Sequence, residues 1–182
     1  MIDHIFAVQD PESWHAENLE RNPSHYSWLR HFGPKLVCGV ADGVGVGVHF
    51  NTLVQLDEQT LIKYGVVSTA ALLADLTTWQ HLYISGRLHK PVSTIVGCPE
   101  VHAAQHLNLN SALNAALLML PPHFTTPELL QAIVGLSYKG DIRSGIAEDP
   151  LKVSRIVEGS RGPLEALYLP MMLPGRYGGS GS

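Results

Sequence analysis

The run of apolar and β-branched residues at Leu61–Val67 is typical of a buried strand. Ser68 or Thr69 can cap a helix directly after it, because a hydroxyl accepts from the unpaired N–H groups of a first turn. That helix carries an apolar stripe at Leu72, Leu73 and Leu76. The pattern therefore predicts a strand followed by a packed helix.

A basic turn follows this predicted helix. Gly86 ends the helical pattern, and Arg87 and Lys90 come directly after it. Pro91 disfavours helix and predicts an extended run, a second strand of this unit, over Val92–Val96. The unit thus places Lys63 on a strand and two further cations on a turn, which is the kind of charge that a polyphosphate ligand requires.

Upstream of this unit, the pattern predicts two strands and two helices. Ile2–Val8 reads as a strand that carries Asp3. Asp10-Pro11 predicts a helix start, and Asn22-Pro23 predicts a second helix that ends near Phe32, before Gly33-Pro34. Glycines over 39–47 favour entry into a strand, and 46–56 with 61–67 predicts an antiparallel hairpin.

Downstream of residue 97 the pattern becomes helical. Pro99–Leu120 and the segment beginning at Thr126-Pro127 predict helices, Asp149-Pro150 opens another, and the apolar Leu164–Leu173 favours core packing. We therefore predict an α+β domain at 1–97 and a helical domain at 98–173. The tail at 174–182 is Gly- and Ser-rich and reads as a linker or tag.

Composition narrows the functional classes. The chain has 182 residues, 45% of them hydrophobic, and a net charge of −4. These values indicate a globular protein and argue against nucleic acid as a partner, which usually requires a basic surface. His102 and His106 share a helical spacing but lack the glutamate of a zinc protease motif. No P-loop or serine-hydrolase motif occurs.

The remaining chemistry is a dispersed set of phosphate-binding cations with possible metal-binding carboxylates. Carboxylate oxygens suit Mg²⁺ when it also binds substrate phosphates. On residue type alone, ordinary surface charges explain the same pattern. The set contains Lys63, Arg87, Lys90, Lys139 and Arg143, with Asp3 and Asp141 as candidate magnesium ligands.

Five motifs carry a resemblance to a known family. They are Asn22-Pro23-Ser24-His25-Tyr26-Ser27, Phe32-Gly33-Pro34-Lys35, Ile62–Ser68, Gly86–Val92 and Leu136–Arg143. In this order and spacing, over about residues 1–168, the chain resembles the mitochondrial CDP-diacylglycerol synthases, which are phosphatidate cytidylyltransferases.

The resemblance implies a polymerase-β-like nucleotidyltransferase domain, with a mixed sheet and flanking helices, followed by a smaller winged-helix-like domain. It implies that CTP and phosphatidic acid give CDP-diacylglycerol and pyrophosphate with Mg²⁺, for cardiolipin synthesis. It also implies peripheral contact with the mitochondrial inner membrane, on the matrix side. The oligomeric state stays open.

The resemblance also implies residue roles. Asp3 is expected to bind the metal, and Asp3, Lys63 and Asp141 are expected to be catalytic. The expected substrate contacts are Ser24, His25, Tyr26, Asn51, Tyr64, Arg87, Lys90, Lys139 and Arg143.

Two departures from the family pattern leave alternatives open. The family's Gly-Ser loop precedes the Asp3 strand, so the N-terminal part of the domain is expected to be missing here. Ile5 stands where many such enzymes have a second aspartate. A non-catalytic membrane-surface or assembly module, or a nucleotidyltransferase with another acceptor, are the alternatives.

Overall fold

The computed structural model describes residues 2–26, 33–43, 47–139 and 150–172. The chain forms two compact units, Met1–Ala74 and Asp75–Ser182. The sequence predicts a domain boundary at residue 97, later in the chain than the division at Ala74, and that boundary stays a prediction. The elements are β1 Ile2–Val8, α1 Pro11–Arg21, a 3-10 helix Pro23–His25, α2 Pro34–Gly43, β2 Val48–Gln55, β3 Leu61–Ser68, α3 Thr69–Thr78, α4 Ile84–Arg87, α5 Pro99–Met119, α6 Thr126–Lys139, α7 Pro150–Gly159 and α8 Arg161–Met172.

The first unit is built on a small mixed sheet with the strand order β1-β3-β2. β1 runs parallel to β3, and β2 pairs antiparallel with β3, which confirms the predicted hairpin. The register shifts by one residue between Asn51 and Val54, and Leu53 within this bulge has a φ of 56°. The bulge allows Asn51 and Val54, three positions apart, to face the same side of the sheet.

Helix α1 begins as the sequence predicts. The Asp10 carboxylate accepts hydrogen bonds from the backbone N–H groups of Glu12 and Ser13, at 3.0 and 3.2 Å. Pro11 occupies the first helical position, where a missing N–H costs nothing. This cap sets the residue at which the chain leaves β1 and begins α1.

The start of the predicted second helix is wrong. Within the described residues, only the three-residue 3-10 helix follows Asn22, and residues 27–32 of the prediction lie outside them. Gly33-Pro34 was predicted to end a helix, but α2 begins there, because proline's fixed φ suits a first helical position. Helix α2 also occupies residues 39–43, where we predicted entry into a strand.

The predicted strand at Val92–Val96 is also wrong. This segment has no regular secondary structure, and every residue from Pro91 to Gly97 is exposed. β-branched side chains favour a strand only when a neighbouring strand and a packed face are available. The segment therefore forms an exposed loop between α4 and α5.

Helices α5 to α8 enclose the core of the second unit. The buried side chains at its centre include Leu130 and Ile133 of α6 and Leu164 and Tyr168 of α8, which confirms core packing for that part of Leu164–Leu173. Helix α6 starts with a cap in which the Glu128 carboxylate accepts from Thr125. Among the described residues, no helix is long and apolar enough to cross a bilayer.

Candidate functional site

Asp3 and Lys63 lie side by side on the sheet. They are register partners on the parallel strands β1 and β3, so their side chains project from the same face. The Lys63 ammonium lies 4.7 Å from the centre of the Phe50 ring. A Cβ at Gly65 would lie 2.6 Å from that ring, so glycine leaves room for Phe50 beneath the lysine. An acidic and a basic group therefore share one face of the first unit.

A hydrogen-bonded network covers the opposite face. Asn18 Nδ2 donates to the hydroxyl oxygens of Tyr26 and Tyr64, both at 2.8 Å, and Asn18 Oδ1 accepts from Asn22 at 2.8 Å. His25 Nδ1 lies 3.0 Å from the Tyr64 hydroxyl. Because the Asn18 amide uses both of its donors, it fixes both tyrosines relative to α1. The network brings together three predicted site residues, His25, Tyr26 and Tyr64.

Two neutral histidines extend this network. His15 Nδ1 lies 2.8 Å from the Tyr26 hydroxyl, and the rings of His15 and His49 are 5.3 Å apart. Burial, with a smaller contribution from His49, lowers the pKa of His15 to about 4. Burial also lowers the pKa of His49 and raises the pKa of Tyr26 to about 12. At neutral pH His15, His49 and Tyr26 are therefore uncharged.

A cavity of about 250 Å³ lies beside the two histidines. The carboxylate of Asp10 at its rim is already engaged as the cap of α1, and its hydrogen bonds with Ser13 lower its pKa. Asn51, a predicted site residue, is buried nearby on β2, and its Nδ2 has no hydrogen-bond partner among the described residues. The cavity is lined by Asp10, Pro11, Glu12, His15, Cys38, Gly47, His49, Val66, Ser68 and Ala71.

In the second unit, Arg87 and Lys90 lie against aromatic rings. Arg87 Nη2 donates to the Tyr83 hydroxyl at 3.1 Å, and its guanidinium carbon is 4.8 Å from the Tyr83 ring centre. Lys90 Nζ lies 5.5 Å from the Tyr138 ring, and Lys152 Nζ lies 4.9 Å from the same ring. These contacts hold the cations in place while each remains half-buried or exposed.

The turn that leads to these cations is fixed by one buried carboxylate. Asp75 accepts backbone N–H groups from His81, Leu82, Ile84 and Ser85, at 2.8 to 3.1 Å. Burial alone raises the pKa of Asp75, but the hydrogen bonds from the turn together hold that pKa below its usual range. The carboxylate therefore stays ionised and replaces backbone partners that the turn lacks.

Asn108 on α5 anchors the other end of the same turn. Its Oδ1 accepts from Trp79 Nε1 at 2.8 Å and lies 3.1 Å from His89 Nε2. Its Nδ2 donates to the Ser85 carbonyl at 3.0 Å and to Gln105 at 3.2 Å. Because the indole N–H can only donate, the orientation of the amide is fixed, and His89 must carry its hydrogen on Nε2. The Arg87–Lys90 turn is therefore rigidly held.

The predicted site residues divide between the two units. Asp3, Ser24, His25, Tyr26, Asn51, Lys63 and Tyr64 belong to the first unit, and Arg87 and Lys90 belong to the second. Lys139 is the last residue of α6, and its side chain is not among those that the structure describes. Asp141 and Arg143 lie outside the described residues. The predicted convergence of Lys63, the Arg87–Lys90 turn and Asp3 stays a prediction.

Sequence reasoning missed His15, Asn18, His49, Asp75 and Asn108. Among them, only His15 and Asn18 had a readable signal, because both follow the Asp10-Pro11 helix start at a spacing that places them on one face.

Among the described residues, no three His, Cys, Asp or Glu side chains are arranged to hold a metal ion. Mg²⁺ usually needs only one or two protein carboxylates when substrate phosphates and water supply the other oxygens. The exposed Asp3 carboxylate fits that type of site.

Known proteins resemble this chain over most of its length. A family-level sequence model described as "Phosphatidate cytidylyltransferase, mitochondrial" matches residues 1–175. Proteins of that name from Xenopus laevis and Drosophila melanogaster are 49% identical to this chain over 175 and 176 residues, or 95% and 94% of it. One from Schizosaccharomyces pombe is 46% identical over 173 residues. These matches cover 52%, 52% and 44% of the relatives, so the chain spans about half their length.

Proposed function

The chain belongs to the family of mitochondrial phosphatidate cytidylyltransferases, and we propose that it transfers the cytidylyl group of CTP to phosphatidic acid. The products are CDP-diacylglycerol and pyrophosphate. The observation that carries the proposal is 45–49% identity over at least 92% of the chain to relatives bearing that name. The family name supports a mitochondrial location, and we place the protein on the matrix side of the inner membrane, where its product feeds cardiolipin synthesis.

The proposed reaction is a direct displacement. A phosphate oxygen of phosphatidic acid attacks the α-phosphorus of CTP, the bond to the bridging oxygen of the β-phosphate breaks, and pyrophosphate leaves with that electron pair. The protein's main task is to position the reactants and to stabilise negative charge. In the first unit, the Lys63 ammonium supplies such a charge beside Asp3 on the same sheet face.

The other roles rest on residue chemistry. Asp3 would hold Mg²⁺, which when bound polarises phosphate oxygens as a Lewis acid. Arg87 and Lys90 would bind phosphate groups of CTP or phosphatidic acid, since both are fixed by tyrosine contacts. We propose Ser24, His25, Tyr26, Asn51 and Tyr64 as further substrate contacts of the first unit, where Asn51 and Tyr64 face the side of the sheet opposite to Lys63. In the second unit, Lys139 and Arg143 are proposed substrate contacts and Asp141 is a proposed catalytic group.

The architecture supports a nucleotidyltransferase. A mixed sheet with flanking helices, followed by a helical unit, is compatible with a polymerase-β-like domain and a winged-helix-like domain. We propose these two folds for the two parts of the chain. The sheet face that bears Asp3 and Lys63 is then the nucleotide face.

Pyrophosphate release tests the function. The 182-residue chain, and the chain joined to an upstream segment carrying the family's Gly-Ser loop, are given CTP, Mg²⁺ and phosphatidic acid. We expect release from the extended protein, and a loss of about 10²–10³-fold in kcat/KM for Lys63→Gln, a typical cost of removing one charge-stabilising group. Arg161→Gln, which removes an exposed cation paired with Glu165, should leave kcat/KM unchanged.

Three results would contradict parts of the proposal. A folded, extended protein that releases no pyrophosphate would support a non-catalytic membrane-surface or assembly module. Release with another acceptor but not with phosphatidic acid would support a different nucleotidyltransferase. Isotope exchange between CTP and pyrophosphate without lipid would contradict direct displacement.

A further inference from the structure

The loop from Pro91 to Gly97 exposes an unusual amount of apolar surface. Val92, Ile95 and Val96 are 54%, 79% and 91% exposed, and none of the seven residues is in a helix or strand. Isolated exposed apolar residues are ordinary, but three β-branched side chains within five positions form a patch. The loop is held at both ends, by the buried His89 before Lys90 and by α5 from Pro99.

Cations and tyrosines adjoin this loop. Lys90 precedes Pro91 directly, and its ammonium shares the Tyr138 ring with that of Lys152. Leu151, the neighbour of Lys152, is 58% exposed. Tyrosine, lysine and exposed aliphatic side chains are the residues that proteins place at a membrane interface.

The local charge is opposite to that of the whole chain. The net charge is −4, yet residues 76–99 contain Arg87 and Lys90 and no aspartate or glutamate. The charged side chains of this stretch are therefore all cationic, and Glu100 is the next acidic residue after it. At physiological salt, charges farther away than about 8–10 Å are largely screened.

We propose that the 91–97 loop, with Arg87, Lys90 and Lys152, is a docking surface for an anionic phospholipid bilayer. Val92, Ile95 and Val96 enter the boundary between head groups and acyl chains, while the cations contact lipid phosphates. Five residues of extended chain separate Lys90 from Ile95 and span at most about 18 Å. That reach covers the roughly 5–10 Å by which interfacial segments are buried. The inference rests on the proposed function and identifies the surface that faces the lipid substrate.

Vesicle partitioning tests the surface. The 182-residue chain is mixed with phosphatidylcholine vesicles with and without phosphatidic acid, and the bound fraction is measured by flotation. We expect binding that depends on phosphatidic acid, and a drop of at least about tenfold in the partition coefficient for Ile95→Asp and for Val96→Asp. Leu118→Asp is the matched control, because Leu118 on α5 is 88% exposed and the change in charge is the same.

A second measurement reports insertion directly. Val96→Trp should show a blue-shifted emission on vesicles that contain phosphatidic acid, whereas Leu118→Trp should not. Inorganic phosphate and pyrophosphate should not displace the chain from vesicles, because a soluble anion offers no acyl boundary.

The proposal is overturned if Ile95→Asp and Val96→Asp bind as the wild type does, or if inorganic phosphate releases the protein. Vesicle binding requires no turnover, so the outcome is separate from that of the enzyme assay. If the chain docks through this loop but forms no pyrophosphate, the proposed function is wrong and the docking surface stands.

Discussion

Replacing Asn108 by leucine should strongly destabilise the second unit. Leucine has a similarly branched side chain, but it leaves the groups that Asn108 satisfies without partners. Two of them, the Ser85 carbonyl and His89 Nε2, belong to fully buried residues that water does not reach. An unsatisfied buried polar group costs about 1–3 kcal/mol, so the expected loss is about 2–6 kcal/mol. That is a large share of the 5–15 kcal/mol or so that holds a typical domain folded.

Urea unfolding followed by far-UV circular dichroism measures this loss. Asn114→Leu is the matched control, since Asn114 is exposed on the same helix and the change in helix propensity is the same. We expect Asn114→Leu to change the free energy of unfolding by no more than about 0.5 kcal/mol. If Asn108→Leu loses less than about 1 kcal/mol relative to that control, then the amide does not anchor the Arg87–Lys90 turn.

Three further predictions follow from particular contacts. Gly86→Ala should destabilise the protein by about 1–3 kcal/mol, because its Cβ would lie 2.5 Å from Ser137 Cβ. Gly162→Ala has open space around the new Cβ and should be neutral or stabilising. Thermal unfolding compares the two variants, and equal melting temperatures would contradict the packing at Gly86. The pKa of His15 is about 4 in the folded protein and 6.5 as its ordinary value, so the unfolded chain binds more protons between these pH values. Stability should therefore fall as the pH drops from 6.5 to 4, and His15→Gln should reduce that slope in urea titrations, although His89, whose pKa is also about 4, keeps part of it. Asp10→Ala should lower the urea midpoint by removing the cap of α1, and an unchanged midpoint would show that the cap is dispensable.

The elements with strong local signals were predictable from the sequence. Asp10-Pro11 indicates the start of α1, and the polar tip at Asp57–Thr60 between two apolar runs indicates the β2–β3 hairpin. Gly33-Pro34 was assigned only to the end of a helix, although the same pair can also begin a helix, as it does for α2. Val92–Val96 misled because its β-branched residues have strand propensity without a partner strand.

The candidate site was predictable only in part. Motif resemblance selected Tyr26 and Tyr64, whose hydroxyls the structure brings to one amide. It did not select Asn18, which joins them, because an asparagine on a helix with many polar residues looks like a solvent-exposed one. Asp75 and Asn108 were missed because their hydrogen-bond partners lie in a turn that only folding brings close to them.

The bulge at Leu53 determines where β2 tolerates a change in length. There, two residues of β2 stand opposite one residue of β3, so deletion of Leu53 would convert the irregular pairing into a regular ladder. Val54 would still lie opposite Ile62 and stay in the core. Deletion of a residue between Val48 and Asn51 would instead turn every preceding side chain of the strand to the other face. Natural length variation among relatives in this strand should therefore be concentrated at residues 52 and 53.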